Sequence, residues 1–323
     1  MKAIVQDEYG SPDILQLQDI EKPVCGDDEV LVRVHAAGVD RGVWHLMAGQ
    51  PYLVRIMGFG LRKPRNRVPG LDVAGSVEAV GRDVVQLKLG DEVFGECNGS
   101  FAEYARAPAR KLAHKPANLS LQQAAVVSVS GRAALQAVRD EGKVQPGQKV
   151  LIIGAAGGVG TFAVQIGKAF GGEVTGVCST RKTDLVLSVG ADHVIDYTQE
   201  DFADGQRHYD VILDIAGNRT LSHLRRALTP AGTLVIVGGE DGGRWFGGMD
   251  RQIRALLISR FSGQQLRAQF PKEDYADLTV LKELIEASKV TPVVDRTYPL
   301  SEVPAAIQYL QEGRAQGKVV ITI

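Results

Sequence analysis

Gly154, Gly157 and Gly160 stand three apart at the end of a short apolar run, a spacing that can seat an anion. Over residues 149–170 the chain reads Lys-Val-Leu-Ile-Ile-Gly-Ala-Ala-Gly-Gly-Val-Gly-Thr-Phe-Ala-Val-Gln-Ile-Gly-Lys-Ala-Phe. Residues 150–153 are apolar and largely β-branched, which predicts a strand buried on both faces. The glycines that follow carry no Cβ, so the backbone there can bend tightly and approach a ligand. Phe162, Ile166, Ala169 and Phe170 then recur at helical spacing. The start of such a helix presents unpaired N–H groups and the positive end of its dipole, and a pyrophosphate fits there.

A second polar group follows the next apolar run, where Cys178 is succeeded by Ser179, Thr180, Arg181 and Lys182. A nucleotide-binding sheet that selects NAD ends its second strand with an acid, which accepts from the ribose hydroxyls and repels a 2′-phosphate. Here a hydroxyl and cations stand instead, and the arginine fork matches phosphate oxygens. This favours NADPH over NADH. The bland alternative, that Arg181 and Lys182 merely open an exposed helix, conflicts with the preference of helix starts for acids.

The elements that must position these groups are legible. Residues 173–178, 193–196, 210–214 and 233–237 read as further short strands with helix-like segments between them. Such alternation predicts a parallel, doubly wound sheet that binds ligand where its strands end. After the fifth strand, Gly238, Gly239, Gly242, Gly243, Gly247 and Gly248 make a permissive loop at that same edge. Upstream the texture changes to short β-like runs at 3–5, 30–35, 74–80, 92–95 and 101–107, which suggest a compact, partly closed β domain. Between 41 and 50 the alternation lapses into one or two helical turns, followed at 52–68 by Arg55, Arg62, Lys63, Arg65 and Arg67 with no acid among them. That stretch reads either as a solvated basic loop or as a lid whose cations attract an anionic substrate. Near 120–139 the pattern turns helical and marks the crossing to the second domain. The tail predicts a helix over 277–287, a strand from 293, a capped helix over 301–311 and a closing strand over 318–323, a texture closer to the first domain than to the second.

Composition narrows the class. At 323 residues the chain is too long for one ordinary core, and 44% hydrophobic with 23% charged residues describes a globular protein. A net charge of −1 gives no general field for nucleic acid or an anionic membrane, so neither is expected as a partner. The first residues carry no hydrophobic signal core, which predicts a cytoplasmic location. Cys25, Cys97 and Cys178 lie far apart in no paired spacing, so free thiols are expected rather than disulfides or a four-cysteine zinc lobe.

The Gly154-to-Gly160 turn with Gly158 and Val159, Cys178-Ser-Thr-Arg-Lys, Gly190-Ala-Asp-His-Val-Ile-Asp-Tyr, Pro69-Gly-Leu-Asp-Val-Ala-Gly and the terminal Gly317-Lys-Val-Val together resemble the medium-chain dehydrogenase/reductase superfamily, in its zinc-free quinone oxidoreductase (ζ-crystallin-like) branch. The resemblance covers nearly the whole chain. It implies an α/β protein: a GroES-like β domain over 1–122, rejoined by 267–323, and a Rossmann domain over 123–266. It adds Tyr197 to the phosphate pocket, Lys318 to the coenzyme contacts, and a homodimer. Zinc-dependent relatives hold their metal with a cysteine, a Gly-His-Glu motif and a second cysteine. Here those places resemble Asp40, Gly70-Leu71-Asp72 and a cysteine-free 124–130, and leucine offers no lone pair. Asp40, Asp72 and His45 read as turn and capping chemistry rather than as a set of metal ligands, so no metal is expected.

Without a metal, reduction needs an acceptor already prone to take hydride: a quinone, an enone or a 2-alkenal. The protein then supplies orientation and electrostatics. Tyr52 resembles a tyrosine at the quinone-reductase cleft, and reads either as a proton-donating hydroxyl or as packing for the lid. Asp40 takes the place of an asparagine near nicotinamide, and a carboxylate accepts but donates only when protonated. His45 is a proton donor on pKa grounds or a structural partner of Trp44. An NADPH-dependent quinone or enone reductase, an alcohol or ketone dehydrogenase, and a non-catalytic NADPH-binding protein are the three functions this leaves open.

Overall fold

The computed structural model of the protein describes residues 1–239, 243–270, 272 and 275–323. Its chain divides into two compact units, Met1–Arg132 with Glu273–Ser288 and Pro292–Ile323, and Ala133–Lys272 with Lys289–Thr291.

In the second unit the apolar runs build a six-stranded sheet in the order His193–Asp196, Glu173–Cys178, Lys149–Ile153, Tyr209–Asp214, Leu228–Ile236, Gln265–Ala268. Every neighbouring pair is parallel. Parallel neighbours need crossovers, and Gly158–Ala169, Thr183–Ser188, Leu221–Arg226 and Met249–Ser259 supply helices for them. Covered on both faces, the central strand is apolar in unbroken succession, with Val150, Leu151 and Ile152 each 0% exposed. Leu151, Ile212, Leu234, Ile236 and Leu266 form one core with Leu224 and Ala255. Strand order reverses between Lys149–Ile153 and Tyr209–Asp214, and in such sheets the crevice beyond the strand ends at this point receives the ligand.

The sixth strand is silent in the sequence, because Gln265-Leu-Arg-Ala has Leu266 as its one large apolar residue. The expected boundary at 266 therefore cuts a strand, and the unit runs on to Lys272. Gly242 lies outside the described residues.

The first unit holds a seven-stranded sheet. Its path runs Val294–Pro299, Lys318–Thr322, Glu29–Val39, Asp72–Val80, Glu92–Glu96, Leu112–His114, and Tyr104–Pro108 pairs with Glu29–Val39. A separate antiparallel pair joins Lys2–Val5 to Gln16–Asp19. The tail strand Lys318–Thr322 lies antiparallel to Glu29–Val39, with Val319 opposite Val39. Val30, Val32, Val73, Val93 and Leu112 bury one side of this sheet, and Ile4, Val39, Val43, Met47, Phe101, Ile307 and Ile321 form a second cluster. The unit extends to Arg132, past the expected crossing at 122. Two bonds hold that extra stretch: the Val129 N–H donates to the Asp72 carboxylate at 2.8 Å, and Arg132 pairs with Glu96 at 2.6 Å. The tail helix is Val303–Gln311, preceded by a short 3-10 turn, and carries no side-chain cap. Among the described residues no helix is long and apolar enough to cross a membrane.

Leu151→Ala should lower the stability of the second unit by about 2–5 kcal/mol, since the site is fully enclosed and collapses little. Urea unfolding followed by a probe in that unit measures the loss.

Candidate functional site

In the second unit the central strand stops at Gly154, whose φ of +88° favours glycine. The turn closes through Gly157 N–H donating to Gly154 O at 3.1 Å, and the helix Gly158–Ala169 starts at once with Gly157 as its N-cap. A Cβ on Gly160 would sit 2.1 Å from Gly154 O, so only glycine lets the helix approach the strand end this closely. Gly157 offers no capping side chain, and the first-turn amides of Gly158, Val159 and Gly160 are left without helix partners. The result is an anion cradle at the C-terminal edge of the sheet, suited to a dinucleotide pyrophosphate.

Ser179, Arg181, Lys182 and Tyr197 come to that same edge. Ser179 precedes the 3-10 turn Thr180–Lys182, and Arg181 is exposed. Tyr197 donates its backbone N–H to Cys178 O at 3.1 Å, and its ring is 49% exposed. Two further side chains stand beside them, Arg219 and Asp196. The Arg219 guanidinium lies 5.6 Å from the Tyr197 ring centroid. Asp196 accepts from the Thr180 hydroxyl at 2.5 Å, from Thr198 N–H and Oγ1 at 3.0 and 2.7 Å, and from Gln199 Nε2 at 2.9 Å. The Thr180 hydroxyl first, then the other donors, hold its carboxyl below the usual range.

Gly238 packs where a Cβ would fall 2.0 Å from Ile215 O, and Gly217, at φ +71°, would place one 2.6 Å from Gly238 C. The loops after the fourth and fifth strands thus pass at a separation that side chains forbid. Beneath them Asp214 is 0% exposed, accepting from Gly217 N–H at 3.1 Å and from Arg251 Nη2. Burial raises its pKa and Arg251 opposes that rise.

Asp40, His45 and Tyr52 belong to the first unit. Asp40 caps the helix Arg41–Ala48, its Oδ1 accepting from Val43 N–H at 3.1 Å. Its Oδ2 is buried with no hydrogen-bond partner. His45 Nδ1 lies 2.8 Å from Gln50 O, which assigns the proton to Nδ1 and leaves Nε2 to accept; the ring packs edge-on against Trp44 at 4.7 Å. Tyr52 is half-buried, with the Arg55 guanidinium 4.8 Å from its ring centroid. An apolar pocket beside this helix is walled by Val43, Met47, Phe59, Val68 and Leu71, with Gln6 among them.

Lys318, expected among the coenzyme contacts, has partners inside the protein. It is a member of the first unit, 2% exposed, and its Nζ donates to Asp72 Oδ2 at 3.2 Å and Ser130 Oγ at 3.0 Å. In this arrangement the ammonium is paired with a buried carboxylate. Burial lifts the Asp72 pKa to about 6, with Lys318 opposing the rise and Asp40 adding to it. Burial also lifts the Cys178 thiol to about 11 and the Cys97 thiol higher, so both rest as neutral free thiols.

Comparison with known proteins gives two family matches: residues 26–117 to the alcohol dehydrogenase GroES-like domain, and residues 189–321 to zinc-binding dehydrogenase. A 2-methylene-furan-3-one reductase from Solanum lycopersicum is 33% identical over 99% of this chain and 79% of its own. A quinone oxidoreductase from Sus scrofa is 31% identical over 100% and 98%. Among solved structures, the quinone oxidoreductase from Coxiella burnetii superposes with a TM-score of 0.86 at 27% identity, covering 100% of this chain and 99% of that one. A mycobacterial protein complexed with NADPH gives 0.84 at 26%, covering 100% of both. The residues here do not fit the zinc in the second family's description. Leu71 has no donor atom, Asp72 is taken by Lys318, and among the described residues no three His, Cys, Asp or Glu side chains gather to hold a metal.

Lys318→Met should cost about 3–5 kcal/mol, because it strands Asp72 as a buried charge without its partner. Asp72→Leu combined with Lys318→Met should cost less than Lys318→Met alone, a comparison that urea midpoints make directly. For Asp72 the folded pKa lies above the usual 3.8, so its contribution to stability is full below about pH 4 and is lost as pH rises through about 6.

Proposed function

Because the chain belongs to the medium-chain dehydrogenase/reductase superfamily, in its quinone-oxidoreductase-like branch, we propose that this oxidoreductase uses NADPH to reduce a quinone or an α,β-unsaturated carbonyl compound without a metal ion. The observation that carries the coenzyme choice is the Ser179–Lys182 turn, where a hydroxyl and cations follow the second strand in place of an acid. Bound nicotinamide supplies a hydride, which is to say both electrons of the reduction. The remaining work falls to the chain. The amides of Gly158, Val159 and Gly160 hold the pyrophosphate, with Gly238 allowing close passage of backbone. Ser179, Arg181, Lys182 and Tyr197 hold the 2′-phosphate. Asp196 stands close to them and stays ionised, its oxygens accepting from Thr180, Thr198 and Gln199, so the Arg181 and Lys182 cations have to outweigh it for a phosphate to bind.

In the first unit Asp40 Oδ2 is a buried acceptor that wants a donor, and an N–H or O–H of a bound ligand would remove the cost of leaving it unpaired. Tyr52 is the hydroxyl we assign to the developing oxyanion, and His45 Nε2 is the free ring position nearest it in sequence for moving a proton. Conjugation in the acceptor spreads the incoming charge onto oxygen, so no Lewis acid is required. We also infer a homodimer: Gln265–Ala268 ends the parallel sheet with one flank unpaired among the described residues, and a second copy can extend it.

Anaerobic NADPH oxidation against a panel of quinones, enones, 2-alkenals and simple alcohols tests this reading. Turnover of conjugated acceptors, indifferent to chelator, is expected; chelator-sensitive activity on simple alcohols, or tight NADPH binding with no turnover at all, would reject it. Arg181→Gln should weaken NADPH by about 1.5–3 kcal/mol, the scale of a charged hydrogen bond, and leave NADH almost unchanged. Equal weakening of both would remove Arg181 from the phosphate.

A further inference from the structure

The basic stretch over 52–68 is unexplained by the site above, and its structure is more constrained than a solvated loop requires. Arg55–Phe59 forms a wide helical turn bent at Gly58, where φ is 104°. Gly60, at φ +113°, would place a Cβ 2.1 Å from Lys63 O, and Arg65 N–H closes the bend onto Phe59 O at 2.7 Å. The Tyr9 hydroxyl lies 2.6 Å from Gly60 O and 3.0 Å from Phe59 O. Arg55 anchors the base through Gly49 O at 2.9 Å, with its guanidinium 4.4 Å from the Tyr9 ring centroid. These bonds hold three large apolar side chains outward: Ile56 is 72% exposed, Met57 66% and Leu61 68%.

Next to them stand Arg62, Lys63 and Arg65, all exposed and forming no salt bridge among the described residues. Asp7, whose charge Lys63 feels, is already gripped by Arg67 at 2.6 and 3.2 Å. The inner side of the same bend, through Phe59, Pro64 and Val68, walls the apolar pocket that also contains Val43, Met47 and Leu71.

We propose that residues 56–65 dock on an anionic lipid surface, with Ile56, Met57 and Leu61 entering the headgroup boundary and Arg62, Lys63 and Arg65 meeting lipid phosphates. Three side chains fall well short of the ~800 Å² per partner that a stable protein interface buries. Membrane adhesion needs no such area, since it sums a little apolar insertion with attraction to anionic headgroups. Outward apolar tips beside exposed cations that form no salt bridge among the described residues match those two terms. The chain's overall charge of −1 predicts no such attraction, but that balance is an average and the patch departs from it. Lipid-dissolved acceptors would then meet the protein at the roof of its apolar pocket. Docking itself does not rest on the acceptor reading, and it can be measured without turnover.

The test is sedimentation of the full chain with vesicles of phosphatidylcholine, with and without one-third phosphatidylglycerol, at low and high salt. Each cation near the surface is worth on the order of five-fold in partitioning, so the anionic vesicles should bind at least ten-fold more protein and release it in high salt. Arg62→Glu with Lys63→Glu should remove most of that preference. Met57→Asp and, separately, Leu61→Asp should weaken binding several-fold while leaving the melting temperature in place. Equal partition onto both vesicle types, or no binding to either, overturns the proposal. So does binding to soluble polyglutamate as strong as to vesicles with Met57→Asp lacking effect, since that describes a patch for an acidic macromolecule. Turnover of a water-soluble quinone in the absence of vesicles reports separately on the catalytic reading.

Discussion

The contact on which the second unit depends is the one between Gly160 and the carbonyl of Gly154. With no side chain between them, the helix axis can start directly over the end of the central strand. That places the unpaired first-turn amides at the point where the strand order reverses. Any Cβ at 160 would push the helix back along its own length. Gly217 and Gly238 repeat the device one loop over, so the ligand edge of the sheet is shaped by absent side chains as much as by present ones. The cations and hydroxyls of 179–182 then have a fixed frame from which to act.

The first unit solves a different problem. Its sheet encloses a charge, and Lys318 and Asp72 meet at 3.2 Å with almost no exposure on either side. A pair removed from water to this degree contributes little net stability, because desolvation offsets most of the attraction. What it does provide is a penalty on misarrangement. The Asp72 carboxylate also accepts from Val129, and the Lys318 ammonium also donates to Ser130, so a shift in any of these segments leaves a buried charge unmet.

Much of this could be read from the residues. Runs such as Val150 to Ile153 have one sensible home, a strand covered on both faces, and the glycine spacing after them has one sensible geometry. Asp40 as a helix cap follows from its place before Arg41–Ala48. Other features were not legible, for reasons that can be named. Gln265–Ala268 is a strand by virtue of its neighbour and not of its composition. Lys318 gives no sign in sequence of its partner, since Asp72 is 246 residues away. Arg219 and Asp196 come to Tyr197 and Thr180 through loops whose course depends on tertiary packing. The outward turn of Ile56, Met57 and Leu61 reverses the usual expectation for such residues and needed backbone geometry to reveal it.

The strand Lys318–Thr322 lies between Val294–Pro299 and Glu29–Val39. During synthesis, therefore, residues 36–39 must wait for residues 319–322 before their sheet can close. The intervening parallel sheet, by contrast, has all six of its strands once Ala268 has left the ribosome. The order of folding is thus inverted relative to the order of translation, and the half-built β unit exposes the flank of Glu29–Val39 for most of the time the chain is being made. For this architecture the exposed interval lasts until residues 318–322 emerge, because until then the strand they cover has an open edge that can pair wrongly.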